Sequence, residues 1–369
     1  MVTRPRRDVG LPHQPMSHFR LLADPGRYAV TDVDLLADAD ARAHWVQLFD
    51  DHFNQVLDSA RQAYGRTHLK QLAAARADFT RALEPLRGPS VQADGPLGIF
   101  QLCRMREKAL RDHGLDDPFR PIKQRENDRA IDAFPEVIDY ADSLEAPQRW
   151  EHLFRGVFAG NIFDLGSAIT MGYTSDHVDF EAEAARVKPR PWRVDDFDAL
   201  AEILPLAAGS PAPWAKVVFF IDNAGADFIL GVMPLVRQLA SHGSEIVLAA
   251  NERPSLNDLT ADETVDLVQQ LAAVDDELAS YLHARLFEVV STGNDIPLID
   301  LSEVSDELNA AAEGADLVVL EGMGRSVESN LNTTFSVASL QICLLKDDDV
   351  ARRVGGEVFD CVCMYRPAP

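Results

Sequence analysis

Basic residues are scarce in this chain: 35 Lys+Arg stand against 59 Asp+Glu among 369 residues, a formal net charge of −24. That balance excludes a nucleic-acid binder working through a broad basic face and disfavours docking on anionic lipid. No uncharged apolar run of about 18 residues is present to span a bilayer. Arg4, Arg6 and Arg7 are followed by Asp8 and Pro12, not by the apolar stretch of a signal peptide, so the cytoplasm is the expected location. Cysteine is sparse too. Cys103, Cys343, Cys361 and Cys363 form no CxxC pair and read as small buried hydrophobes in a reducing compartment. The His residues show neither HExxH nor HxH spacing, which argues against a His-rich zinc site. Walker A and GxGxxG sequences are absent, and so is an Asp-x-Asp after the first strong strand.

What is present is unevenly distributed. Residues 1–150 hold 21 basic and 23 acidic groups, whereas residues 151–369 hold 14 and 36, so the acidity belongs to the second part of the chain. Periodicity divides the chain at a similar place. Residues 1–30 are rich in Pro and Arg and are expected to form a flexible, loosely packed arm. From 31 to 155 the apolar spacing is helical: Trp45, Leu48, Phe49, Phe53, Val56 and Leu57 fall on one face, and further helical runs follow at 69–86 and 99–110. From 156 to 369 short β-branched runs alternate with helices, at 217–221, 246–248, 287–290, 317–320, 340–345 and 358–364. Continuous apolar strands separated by helices imply an α/β core with a mostly parallel sheet covered on both faces. The last two strands are joined by about a dozen residues, too few for most parallel crossovers, so one of them is expected to be an antiparallel edge.

Ligands of such sheets bind outside the carboxyl ends of the strands. The first strand runs into Asp222-Asn223-Ala224-Gly225-Ala226-Asp227. The second runs into Asn251-Glu252 and on to Asn257-Asp258, the fourth into Glu321-Gly322-Met323-Gly324-Arg325, and the fifth ends at Lys346. Asp222 and Asn223 at one strand end, joined by Asp258 from the next, offer hard oxygen donors suited to Mg²⁺ or Mn²⁺. The bland alternative is turn formation or helix capping, which Asp and Asn do equally well. Charge bears on the choice. Between 286 and 350 the cations are Arg325 and Lys346, both at strand ends, so an anionic ligand would need a metal and these two groups to be neutralised.

These segments together resemble the metal-dependent damage-control phosphatases, a family once classed only as a domain of unknown function. The Glu-Gly-Met-Gly-Arg string at 321–325 resembles the signature of the second subfamily, and the CxxC pair of the first subfamily is absent. Upstream, Gly160-Asn161-Ile162-Phe163-Asp164 and Arg125-Glu126-Asn127 match in kind. The resemblance implies a Rossmann-like three-layer α/β/α core with an N-terminal helical domain. It implies hydrolysis of a phosphomonoester, with 4′-phosphopantetheine or its oxidised or damaged derivatives as substrate. It also implies a divalent metal (Mn²⁺, Mg²⁺, Co²⁺ or Ni²⁺) on Asp222, Asn223 and Asp258. Gly322, Met323, Gly324, Arg325, Ser326 and Lys346 would hold phosphate, and Asn161 and Asp164 would line the pocket. Asp258, Arg325 and Lys346 would act in catalysis, with Asp258 or Asp227 taking the proton of the attacking water.

The expected partner is a small phosphorylated metabolite, with neither nucleic acid nor membrane; self-association into a homo-oligomer stays open. Two rivals remain at this level: a carboxyl methyltransferase using S-adenosylmethionine on the same core, and a non-catalytic protein that binds a phosphometabolite.

Overall fold

The computed structural model describes residues 16–88, 91, 95–162, 180, 187–207 and 209–369. After a short strand β1 (Met16–Ser17), five helices come first among the described residues: α1 (Ala39–Tyr64), α2 (Leu69–Leu83), α3 (Ile99–Arg111), α4 (Arg120–Ser143) and α5 (Ala146–Ile162). Asp38 starts α1 by accepting a hydrogen bond from the Ala41 amide at 2.9 Å. The buried stripe of α1, with Trp45, Phe49, Phe53 and Val56, packs on Phe79 of α2 and Leu102 of α3. The Phe53 and Phe79 ring centroids lie 4.3 Å apart.

The remainder alternates: β2 (Val194–Asp195), α6 (Phe197–Ala201), β3 (Lys216–Phe220), α7 (Met233–Ser241), β4 (Glu245–Ala250), α8 (Ala261–Ala272), α9 (Asp276–His283), β5 (Phe287–Ser291), β6 (Val304–Ser305), α10 (Asp306–Ala311), β7 (Leu317–Glu321), β8 (Ala338–Leu344), α11 (Asp348–Arg353) and β9 (Cys361–Arg366). Seven strands form one sheet in the order β2-β9-β8-β7-β3-β4-β5. The pairings are parallel except that of β8 with β9. Alternate side chains of each strand feed opposite faces. Val217, Phe219 and Ile246 pack against α4 and α5, while Val218, Phe220 and Val247 pack beneath Val304 and Leu308. This is a mixed α/β fold with a mostly parallel sheet between helical layers.

Three expectations change. β9 is antiparallel but is not the edge, because β2 pairs outside it; two residues of extended chain carry too little apolar pattern to be read as a strand. Residues 16–30 are not a loose arm. Phe19 is fully buried and Leu22 nearly so, on the second face of the sheet, and β1 pairs antiparallel with β6. Pro and Arg dominate the composition there and hide two apolar anchors. Finally, packing divides the chain ahead of residue 155. Phe134, Val137, Trp150 and Phe154 of α4 and α5 share one cluster with the sheet, whereas α1, α2 and α3 form their own with Leu256, Ile296 and Leu298 from the α/β loops. Helical periodicity reveals that a face is buried, not what buries it.

Candidate active site

The chain leaves β3 for its neighbour β4, then returns from β5 to place β7 on the other side of β3. The switch of direction therefore lies between β3 and β7, where a parallel sheet opens a crevice at its carboxyl end. Asp222 follows β3, and Glu321 is the last residue of β7.

Main-chain hydrogen bonds sew the loop after β4 to the loop after β3. Leu259 N donates to Asp222 O at 3.0 Å, Ala224 N donates to Asn257 O at 2.9 Å, and Asn223 pairs antiparallel with Asp258. The spacing of Asp222, Asn223 and Asp258 is thus set by backbone. Glu321 Oε2 accepts from the Asp222 amide at 2.9 Å. Asn161 Nδ2, at the end of α5, donates to Asp227 Oδ1 and to Glu321 Oε1, each at 2.6 Å. Asn223 Nδ2 donates to Asp227 Oδ2 at 2.9 Å. Asn161 reaches this position because α5 runs against the 226–227 backbone: a Cβ on Gly160 would stand 2.8 Å from Asp227 Cα.

Arg325 spans two carboxylates. Its Nη1 bonds Asp222, and its Nη2 donates to Asp258 Oδ2 at 2.8 Å and to Asn251 Oδ1 at 3.1 Å. The turn that delivers it bends at Gly322, whose φ of +85° favours glycine and where a Cβ would collide with the Asp222 carboxylate. The glycine string after β7 therefore makes room for the Asp222 carboxylate from the loop after β3. A nucleotide-binding glycine motif of the methyltransferase kind belongs after the first strand.

Asp222, Asp227 and Glu321 offer carboxylate oxygens within 4.8 Å of one another, all buried. Burial, then the charge of Asp222, pushes Asp227 up to about 7. Burial, then Asp227 and Asp222, raises Glu321 well above the ordinary carboxylate range. Like charges this close cannot all ionise without a cation among them. Burial works against the Arg325 charge, but Asp222 and Asp258 more than restore it. Hard oxygen donors in such excess over fixed positive charge fit a divalent metal.

A cavity of about 880 Å³ opens onto this cluster, lined at its inner end by Asp222, Asn223, Asp258, Met323, Gly324 and Lys346. Of the residues expected from the sequence, these six face the cavity. Asn161 is fully buried behind it, supporting the carboxylates. Ser326 is turned into its own loop, its hydroxyl donating to Gly322 O at 2.5 Å, so the turn already uses the donor that was expected to hold phosphate. Asp164 lies outside the described residues. The sequence reading missed Glu321 as a carboxylate of the cluster and Asn251 as a partner of Arg325 and Asp258, and named Asp227 only as an alternative proton acceptor. A charged residue closing the apolar run Leu317–Leu320 was the available signal for Glu321.

The sequence profile of the damage-control phosphatase ARMT1-like domain matches residues 46–362. A damage-control phosphatase of Arabidopsis thaliana, At2g17340, is 41% identical over 300 residues, which is 79% of this chain and 80% of that protein. A 4′-phosphopantetheine phosphatase of Mus musculus is 30% identical over 405 residues, covering 95% of this chain. The pantothenate kinase 2 of Arabidopsis thaliana is 36% identical over 98% of this chain. The chain spans 49% and 43% of the length of those last two relatives. A DUF89 family protein of Pyrococcus horikoshii has the same fold, with a TM-score of 0.60 and 19% identity over 86% of this chain and 96% of that one.

Proposed function

The chain belongs to the damage-control phosphatases with an ARMT1-like domain, and from that premise we propose that it removes phosphate from 4′-phosphopantetheine or an oxidised or damaged derivative of it. The proposal places the chain in the second subfamily and the divalent metal on Asp222, Asn223 and Asp258. The observation that carries it is the seating of these three residues with Lys346 at one cavity, with the buried Arg325 bonded to Asp222 and Asp258 directly behind them. Asp227 and Glu321 belong to the same acidic cluster but do not line the cavity, so they are assigned to backing the ligands.

A divalent metal bound there would polarise the phosphoryl oxygens and acidify a water. Arg325 and Lys346 lie where the charge of the transferring phosphoryl group must be balanced. Arg325, held by Asp222, Asp258 and Asn251, places fixed positive charge directly behind the ligand carboxylates. Asp258, exposed to the cavity beside Asn223, is the carboxylate best placed to hold the proton of the attacking water. Asn161 and Gly322 fix the carboxylates and do not touch the reacting atoms.

A panel of Mg²⁺, Mn²⁺, Co²⁺ and Ni²⁺ with 4′-phosphopantetheine and sugar phosphates, scored by phosphate release, tests this reading. Asp258→Ala is expected to lose at least about a hundredfold in kcat while keeping its circular-dichroism spectrum. Full metal-dependent activity in that variant would remove Asp258 from the site. Binding of the phosphate ester without turnover in the unmodified protein would support a non-catalytic binding protein instead.

A further inference from the structure

Arg325 is 1% exposed, and both of its Nη nitrogens are engaged by Asp222, Asp258 and Asn251. It balances charge from behind the carboxylates and does not line the cavity. A phosphoryl group also needs donors that reach its oxygens. The helical side of the cavity holds another guanidinium. There α1 contributes His44, Phe49 and His52, and α3 contributes Arg106.

Arg106 is 2% exposed and is fixed through Nε and Nη2, which donate to Glu107 Oε1 at 2.9 and 2.7 Å. Nη2 also lies 3.5 Å from Ser255 Oγ, and that hydroxyl donates to Glu107 Oε1 at 2.8 Å. The guanidinium thus sits beside the loop that carries Asp258, with its Cζ 5.8 Å from the Phe49 ring centroid. Burial works against its charge, but Glu107 more than restores it, and Asp258 adds to the effect. Nη1 has no hydrogen-bond partner among the described residues, although Arg106 lines the cavity. A buried guanidinium normally saturates its donors. A structural tie between α3 and the loops does not account for the spare one. Arg111 already makes that tie, donating to Pro254 O at 3.1 Å and to Asp295 O at 2.7 Å.

We propose that Arg106 is a substrate-binding residue whose Nη1 donates to a nonbridging phosphoryl oxygen of the ester. This rests on the phosphatase reading and deepens it: the helical layer supplies a contact to the reacting group and not only a cover for it. Glu107 aligns the guanidinium from behind, so the donor is in place before substrate arrives. The other guanidinium groups on the cavity are less suited. Arg352 is exposed and paired with Asp349, and Arg353 Nη1 donates to Glu328 O at 3.3 Å. Arg106 and Lys346 come from different layers, so the phosphoryl group is held between the helices and the sheet. Every phosphomonoester gains from this contact whatever its leaving group. Arg106 therefore governs affinity for phosphate and not the choice of alcohol.

The test is calorimetric titration of inorganic phosphate into the Mn²⁺-loaded protein. It is run beside Mn²⁺ titration of the metal-free protein and kcat/KM for 4′-phosphopantetheine and glycerol 3-phosphate. Arg106→Lys keeps the charge and the Glu107 pair, but one ammonium cannot serve Glu107 and an anion together. It is expected to weaken phosphate about ten- to a hundredfold, with Mn²⁺ affinity unchanged and kcat/KM for both esters lowered by a similar factor. If that variant does not melt cooperatively, Arg106→Gln combined with Glu107→Gln replaces it, because removing both charges leaves neither buried alone. Unchanged phosphate affinity in a folded variant overturns the proposal. So does a parallel loss of Mn²⁺ affinity, which would make Arg106 a support of the Asp258 loop. A loss confined to one ester overturns it as well, since the contact would then be to the alcohol part. If neither ester is hydrolysed the phosphatase reading fails, and the phosphate titration still decides the contact: weaker binding in Arg106→Lys supports it, and no binding to the unmodified protein refutes it.

Discussion

Arg325 touches both Asp222 and Asp258, and its planar fork is what allows one side chain to serve two carboxylates on different loops. Lysine carries the same charge on a single ammonium and cannot span them. Arg325→Lys is therefore expected to lower kcat at least about tenfold, while metal-dependent activity on the same substrate persists; a rate equal to that of the unmodified protein would show that the fork is dispensable. Glu328, on the cavity wall, makes a second prediction. Burial, then the charge of Asp347, pushes it up to about 8. A carboxylate with a raised folded-state pKa binds more protons folded than unfolded, so its contribution to stability falls as pH rises from its ordinary range toward that value. Melting temperature measured between about pH 5 and pH 8 should fall more steeply in the unmodified protein than in Glu328→Gln. Parallel curves would contradict the assignment. At this scale the sequence was informative where a strand end carried adjacent polar groups, as at Asp222-Asn223 and Arg325. It was uninformative where a role depends on depth: nothing in its neighbours tells that Asn161 sits behind the carboxylates, or that the Ser326 hydroxyl is already bonded.

Strands announced themselves as short β-branched runs, and every long one formed close to where it was expected. Elements of two residues did not, since β1, β2 and β6 owe their conformation to the chains they pair with. The segment before α1 shows the consequence. Phe19 fills a slot on the sheet's second face, 5.5 Å from the Phe220 ring centroid and edge-on to it. Phe19→Ala should cost about 3–5 kcal/mol, read as a lower midpoint in urea with the slope unchanged. A change below about 1 kcal/mol would mean that residues 16–30 detach readily from the sheet. Helical faces were equally legible as faces, but their partners were not: α4 and α5 cover the sheet, while α1 and α3 close over the cavity.

Across the whole molecule the charge is lopsided, and the cavity opens between the acidic α/β part and the helices α1 and α3, with Asp38, Asp40 and Asp347-Asp348-Asp349 among its lining. A phosphomonoester approaching the rim is repelled before the cations at the inner end can attract it, and added salt screens the longer-range repulsion more than the buried contacts. KM for a phosphomonoester should therefore fall as ionic strength rises from about 20 mM to about 150 mM; a rising KM would mean that attraction dominates the approach. The described helices include none long and apolar enough to cross a membrane. The fold class was legible because alternation of strands and helices is a property of the whole pattern, whereas the cavity's shape was not, since its walls come from segments some 200 residues apart in sequence, such as Trp45 and Leu256. The main-chain stitching of the loops after β3 and β4 reaches beyond this one chain. Because the Leu259–Asp222 and Ala224–Asn257 bonds use no side-chain atoms, the template survives any exchange of the chemical groups it presents. A descendant stripped of the carboxylates on these loops would keep the same loops at the same separation, so within such a lineage shape is inherited separately from reactivity, and a silent copy would be told from a working one by its side chains alone.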